Sequence, residues 1–190
     1  MKSFKIISLI IGLTLISCKD SYIPKPYGYF RIDLPTHQYR MIDTLNLPYQ
    51  FELSHIAKII THTDETNENW IDIQYPYLNA SIYCSYKQIN DNIFELSEDA
   101  RKFVYKHSIK ADGIGEKTFQ NPQKKVYGLL YDINGNTASS IQFVLTDSTK
   151  HFFRAVLYFN NVPNKDSIAP MNNYIREDIL RIMESFEWKK

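Results

Sequence analysis

Residues 125–146, KVYGLLYDINGNTASSIQFVLT, decide the fold. Apolar and aromatic residues lie on both sides of Asn134-Gly135, which predicts two β-strands, Lys125–Ile133 and Thr137–Thr146. Asparagine and glycine both tolerate the positive φ angles that a tight hairpin turn needs. The stretch therefore predicts an antiparallel hairpin, and the rest of the chain is interpreted outward from it.

Strands are predicted on both sides of this hairpin, because apolar residues recur with a period of two. In Tyr29–Leu34 the apolar residues share one face and the polar ones share the other. The remaining predicted strands are Gln50–His55 with an extension over Lys58–Thr61, Trp70–Tyr75, Ala80–Tyr86, Glu116–Gln120 and Phe152–Phe159.

Two segments have the 3.6-residue period of an amphipathic helix. Residues 91–109 predict a first helix that starts at Asn92 or is capped by Ser97, with Gly113-Ile114-Gly115 ending it. A second helix is predicted from Ser167 or Pro170 to about Phe186. Antiparallel strands in runs, with one helix between two groups and one at the end, indicate an α+β fold: an antiparallel sheet with packed helices.

Composition excludes several classes of protein. The 190 residues contain 22 Lys and Arg against 21 Asp and Glu, so no broad basic field exists to bind nucleic acid. The six glycines form neither a dinucleotide fingerprint nor a phosphate-binding loop.

Motifs that carry chemistry are also missing from the sequence. The five histidines lack metal-ligand spacing, and no GxSxG motif occurs. Cys84 lies in an apolar run and is interpreted as a buried small hydrophobe, while Glu177-Asp178 is interpreted as solvated charge on a helix surface. We expect no catalytic residue, no metal and no cofactor.

The N-terminus has the layout of a secretory signal. Lys2 and Lys5 precede the apolar run Ile6–Ile16, which is too short to span a bilayer. Leu15-Ile16-Ser17-Cys18 looks like a bacterial lipobox, so residues 1–17 are predicted to be a signal peptide and Cys18 the lipidated first residue of the mature chain. Two or three acyl chains, such as palmitate, would hold the protein at a membrane. Residues 18–28 are then a Pro-rich tether and residues 29–190 a single α+β domain.

Aromatic residues beside prolines are candidates for binding. We name the segment Tyr22–Tyr29 the collar, because rigid tyrosines bury much area with little loss of side-chain entropy. The collar would either dock onto a partner or fold back onto its own domain. Arg31 is most simply a solvated charge, with pairing to a partner carboxylate as its alternative use. The partner-binding candidates are Tyr22, Pro24, Pro26, Tyr27, Tyr29 and Arg31.

A second hypothesis is a binding module, in which an aromatic-lined cleft holds a small molecule, a glycan or a peptidoglycan fragment. Its candidate residues are Trp70, Tyr75 and Tyr77. Tyr75 and Tyr77 are more simply explained as structural residues that flank a proline-broken turn. A cleft of a few hundred Å³ would favour this hypothesis, whereas a filled, convex domain would favour an interaction protein.

The motif YIPKPYGYFRIDLP at residues 22–35, which begins with the collar, resembles the opening of the gliding-motility lipoprotein GldD family of Bacteroidota. The strand FRAVLYFN at residues 153–160 and the ending IMESFEW at residues 182–188 are also similar. Tyr27 departs from the family, in which arginine is expected. The C-terminal strand, loop and helix additionally resemble the Mog1/PsbP-like α/β/α sandwich.

This resemblance implies an envelope lipoprotein needed for gliding and for type IX protein secretion, without catalytic activity. Its partners would be other envelope proteins of that machinery and the membrane that holds its lipid. Lys19-Asp20 matches the acidic surface-export signals of such lipoproteins only in part. We therefore expect a periplasm-facing protein, at the outer membrane rather than the inner one.

Overall fold

The computed structural model describes Gly28 and residues 31–43, 45–62, 69–106 and 110–189. The chain divides into two compact units, Met1–Arg31 and Ile32–Lys190. The predicted signal peptide, the lipidation site Cys18 and all collar residues apart from Gly28 lie outside the described residues. The second unit contains all the secondary structure described below.

A seven-stranded antiparallel sheet forms the centre of this unit, in the order β3-β4-β5-β9-β8-β7-β6. Every neighbouring pair in it is antiparallel. Its strands are β3 (Lys58–Thr61), β4 (Ile71–Tyr75), β5 (Ala80–Gln88), β6 (Ala111–Asn121), β7 (Val126–Gly135), β8 (Ser139–Thr146) and β9 (His151–Phe159).

A smaller sheet and two helices pack around it. The smaller sheet has the order β1-β2-β10 and consists of β1 (Tyr39–Ile42), β2 (Tyr49–Ser54) and β10 (Glu187–Trp188). Helix α1 spans Ile93–Lys106 and helix α2 spans Lys165–Ser185. The Asn164 side chain caps α2 by accepting a hydrogen bond from the Ser167 amide at 3.2 Å.

The main core lies between one face of the large sheet, strand β2 and helix α2. Phe153 of β9, Ile179 of α2 and Phe186 are each fully buried in it. Helix α1 packs on the opposite face, where Leu96 and Ala100 contact the side of the sheet that carries Phe152. Because neighbouring strand residues point to opposite faces, Phe152 and Phe153 belong to different layers. The unit is therefore helix, sheet and helix in three layers, and the α+β prediction is confirmed.

Two strand predictions were wrong. Residues 31–34 form no strand, and Ile32 and Leu34 pack against the main core as partly buried side chains. The first strand is instead β1, which sequence alternation did not indicate. Lys58–Thr61 does not extend Gln50–His55, because the chain turns at residues 55–56 and β3 joins the larger sheet.

The predicted boundaries also shift where glycine or proline was expected to mark the end or the start of an element. Asn134 and Gly135 lie within β7 and pair with β6, so residues 136–138 make the hairpin connection. Gly113 and Gly115 lie inside the edge strand β6 rather than ending α1. Helix α1 begins at Ile93, so Ser97 is not its cap, and Pro170 lies inside α2.

Candidate functional site

A cleft of about 550 Å³ opens on the face of the large sheet that α1 only partly covers. We call it the α1 cleft. Strands β5 and β9 form its floor, because Tyr83 is opposite Val156 and Ser85 is opposite Arg154 in their register. These four side chains share one face of the sheet. The aromatic and aliphatic side chains that line the cleft are Trp70, Tyr83, Phe103, Val156 and Tyr158.

Arg154 is the charged group at the cleft floor. Its guanidinium carbon lies 4.0 Å from the centre of the Phe103 ring, a close cation–π contact. Its Nε is buried and makes no hydrogen bond to any described residue. Burial lowers the pKa of Arg154, although a guanidinium stays charged at neutral pH. A cation is therefore held at a largely apolar surface with part of its donor capacity unused.

The other charged residues of the cleft do not neutralise Arg154. The Asp72 carboxylate lies 3.0 Å from Nε2 of His62 and, among the described residues, forms no ion pair with Arg154. Lys87 adds a second positive charge at the cleft. The described lining residues thus give the α1 cleft an excess of positive charge.

The structure separates the three aromatic residues proposed for a binding cleft. Trp70 lines the α1 cleft, where its Nε1 donates a hydrogen bond to the Tyr86 carbonyl oxygen at 2.8 Å. Tyr75 is fully buried in the main core on the opposite face. Tyr77 is 67% exposed and lies near Asp33. The three residues do not meet, and the cleft that exists is formed by other side chains around Trp70.

A second polar cluster surrounds Asp178 of α2. Sequence analysis interpreted this residue as solvated, but it is 1% exposed. His37 Nδ1 lies 2.8 Å from Asp178 Oδ1, and His37 Nε2 lies 2.9 Å from Glu177 Oε2. The His37 ring stacks on Tyr174 with 4.0 Å between ring centres. His37 thus ties the segment before β1 to helix α2.

Nearby tyrosine hydroxyls respond to this buried carboxylate. Burial, followed by the charge of Asp178, raises the pKa of both Tyr39 and Tyr75. The Asp178 Oδ2 atom and the Tyr75 hydroxyl are buried without a hydrogen bond to any described residue. These tyrosines stay protonated at neutral pH, so two phenol groups lie beside the Asp178 and His37 side chains.

Cys84 and His151 are in structural positions. The Cys84 thiol is 3% exposed, and burial raises its pKa well above the usual value. His151 stacks on Trp188, and its Nδ1 lies 2.7 Å from the Tyr86 hydroxyl. Burial lowers the pKa of His151. Cys84 is thus the buried small residue that its apolar surroundings predicted.

Two further properties hold for the described residues only. No three His, Cys, Asp or Glu side chains there are grouped so that they could hold a metal ion. No described helix is both long enough and apolar enough to cross a membrane.

Arg154 and Asp178 were missed by sequence reasoning, although each left a signal. Arg154 is the charged residue inside the apolar strand HFFRAVLYF at residues 151–159. Asp178 stands in register with the apolar stripe of α2, since it follows Ile175 by three residues and precedes Ile182 by four. An ionisable residue within an apolar pattern indicates a buried partner or a cleft.

Fold and site together define an α+β domain with an aromatic, positively charged cleft beside its shorter helix, α1. The family follows from comparison with known sequences. The family described as "Gliding motility lipoprotein GldD" matches residues 19–188, so the chain belongs to this family. It is therefore a lipoprotein of a gliding-motility family, with a membrane-anchored place in the cell envelope.

Two other comparisons complete this result. No curated protein matches the chain. Among solved structures, the chain is similar to the solution structure of cyanobacterial PsbP (CyanoP) from Synechocystis sp. PCC 6803. That match has a TM-score of 0.45 and 11% sequence identity, and it covers 92% of this chain and 99% of the other.

Proposed function

We propose that this chain is a non-catalytic component of the envelope machinery for gliding and type IX protein secretion, anchored by lipid on Cys18. The observation that carries the proposal is the family match, which begins at Lys19, directly after the lipobox cysteine. Cleavage before Cys18 would make that residue the new N-terminus, where acyl chains give durable membrane attachment.

A non-catalytic role is supported by where the reactive side chains lie. The Cys84 thiol is buried in the core. His37 is held between two carboxylates, and His151 is stacked on Trp188. Each of these groups contributes to packing at its position. Cys84 and the His62–Asp72 pair are among the residues around the α1 cleft, but the Cys84 thiol is buried and its pKa is raised well above the usual value.

The proposed orientation is periplasm-facing, at the outer membrane rather than the inner one. Its support is the sequence after the lipobox, because Lys19-Asp20 holds only one acidic residue of a surface-export signal. Partners would be other envelope proteins of the same machinery.

The collar is the proposed docking segment for these partners. It places Tyr22, Tyr27 and Tyr29 beside Pro24 and Pro26. Tyrosine supplies a large contact area at low entropic cost, and proline restricts the backbone before binding. Of the partner-binding candidates, Arg31, which follows the collar, lies within the described chain and is exposed.

The docking proposal is tested by replacing Tyr22, Tyr27 and Tyr29 together with serine. Crosslinking in intact cells, followed by mass spectrometry, measures which envelope proteins are recovered with the anchored chain. We expect recovery, gliding and secretion to fall together. Tyr105→Ser is the matched control, because Tyr105 is 45% exposed on helix α1 and lies outside the collar. Unchanged recovery and secretion in the triple variant would eliminate the collar as the docking segment.

A further inference from the structure

The α1 cleft combines a cavity of ligand size with a cation, Arg154, that forms no ion pair with any described residue. Its volume of about 550 Å³ lies within the roughly 300–1,000 Å³ range of small-molecule sites. Such sites are mainly apolar and contain a few polar groups that fix the orientation of the ligand. The α1 cleft fits this description, with Arg154 as its oriented polar group.

Arg154 itself selects for a planar anion. A guanidinium binds a carboxylate through two parallel hydrogen bonds, which a neutral amide cannot reproduce. The Arg154 Nε is one of the donors in that fork, and it is buried without a partner among the described residues. Lys87 lies two residues along β5 from Ser85, which is opposite Arg154, and its positive charge repels cations from the same cleft.

A second buried polar side chain lies on the same face of the sheet. Gln142 of β8 is opposite Val156 in the β8–β9 register and is 2% exposed. Neither its Nε2 nor its Oε1 has a hydrogen-bond partner in the described chain. Two neighbouring strands therefore place buried, unsatisfied polar groups on this face, where native proteins leave few such groups unpaired.

The remaining walls suit a ring or a short aliphatic group. Tyr83 and Tyr158 meet edge to face with 5.7 Å between ring centres, which fixes both rings. Trp70 is held by its bond to the Tyr86 carbonyl oxygen. Fixed aromatic side chains give contact area to a ligand with little loss of side-chain entropy.

We propose that the α1 cleft binds a small carboxylic acid, with its carboxylate paired to Arg154 and its ring or aliphatic body against the aromatic side chains. This ligand site belongs to the folded unit Ile32–Lys190 and does not depend on the lipid anchor or on the collar. Failure of either of those proposals would leave it unaffected.

The test uses residues 19–190, because Ile32–Lys190 is a compact unit with its own core. The chain has two tryptophans, so a nitrogen–proton correlation spectrum shows two indole signals. Trp70 lines the cleft, whereas Trp188 packs against Phe186 and His151. Trp188 is therefore an internal control for unspecific binding, and Trp188→Phe assigns the two signals.

The probes are 3-phenylpropionate and its neutral amide, 3-phenylpropionamide, each titrated to about 10 mM. We expect the acid to shift the Trp70 signal in a saturable way while the Trp188 signal stays in place. The amide should bind at least about tenfold more weakly, because it lacks the charge that pairs with Arg154.

Arg154→Met should reduce the affinity for the acid to that for the amide, and Arg154→Lys should restore part of it. Equal binding of acid and amide to the unaltered chain would overturn the proposal, as would unchanged binding to Arg154→Met. Absence of a saturable Trp70 shift with either probe would also overturn it. The comparison of acid with amide uses the unaltered chain, so it tests carboxylate binding even where Arg154→Met does not fold.

Discussion

Removal of the His37 ring nitrogens should show how much the contact of His37 with Asp178 stabilises the fold. His37→Phe keeps a ring that can stack on Tyr174 but removes both contacts to carboxylates. The side chain of Asp178 is fully buried, so the variant leaves a buried charge without its partner. Breaking a buried pair in this way costs about 3–5 kcal/mol. Because the His37 side chain is 24% exposed, we expect the lower end, about 3 kcal/mol.

A double-mutant cycle with Asp178→Asn separates the pair from the individual side chains. The free energy of unfolding is measured by urea denaturation, followed by circular dichroism, for both single variants and the double variant. We expect a coupling free energy of at least about 1 kcal/mol, because Asp178→Asn removes the charge that His37→Phe strands. Glu177→Gln is the control and should cost less than about 1 kcal/mol, since Glu177 is 67% exposed. Additivity of the two single effects within about 0.5 kcal/mol would refute the proposed pairing.

The remaining predictions concern packing and pH. A Cβ atom on Gly128 would lie 2.0 Å from the Val144 carbonyl oxygen, so Gly128→Ala should lower the free energy of unfolding by about 2–3 kcal/mol. Gly115→Ala is the control: its Cβ atom would have no neighbour nearer than 3.9 Å, so it should change the free energy of unfolding by less than about 1 kcal/mol. Equal effects in urea denaturation would contradict the close approach of β7 and β8. For Asp147, burial raises the pKa, but amide hydrogen bonds from Lys150, His151 and Thr149 outweigh it and lower the pKa from 3.8 to about 2. The stabilisation that a lowered pKa provides is complete above the unfolded-state pKa and is lost as the pH falls to about 2. Asp147→Ala should therefore lower the free energy of unfolding by about 1 kcal/mol at neutral pH, and by progressively less from pH 4 to pH 2. A stability difference that stays constant over that pH range would contradict the assignment.

The sequence predicts the long strands because their pattern is local. Successive residues of β4 and β9 point to opposite faces of the sheet, which have different surroundings. This alternation is visible in the sequence without knowledge of the neighbouring strands. Strands β1 and β10 are different, since they have four and two residues and exist only by pairing with β2. Such short segments have too few residues for a period, so only the tertiary structure defines them.

The candidate site was less accessible to prediction, because it depends on three separate elements. Trp70 could be selected as an aromatic residue, but its neighbours follow from the register of β5 with β9 and from the position of α1. Tyr75 and Tyr77 are close to Trp70 in sequence, yet alternation and the turn after β4 direct them elsewhere. Arg154 and Asp178 show that a charged residue within an apolar pattern indicates a buried polar contact or a cleft.

We propose above that lipid on Cys18 holds a component of the gliding and secretion machinery in the envelope. The most direct measurement compares the unaltered chain with Cys18→Ser in cells that lack their own copy, scoring membrane retention, colony spreading and secretion. Cys84→Ala is the matched control, because that thiol is buried and outside the lipobox. We predict that Cys18→Ser leaves the membrane fraction and restores neither spreading nor secretion, while Cys84→Ala restores both. Full restoration by Cys18→Ser would contradict the account.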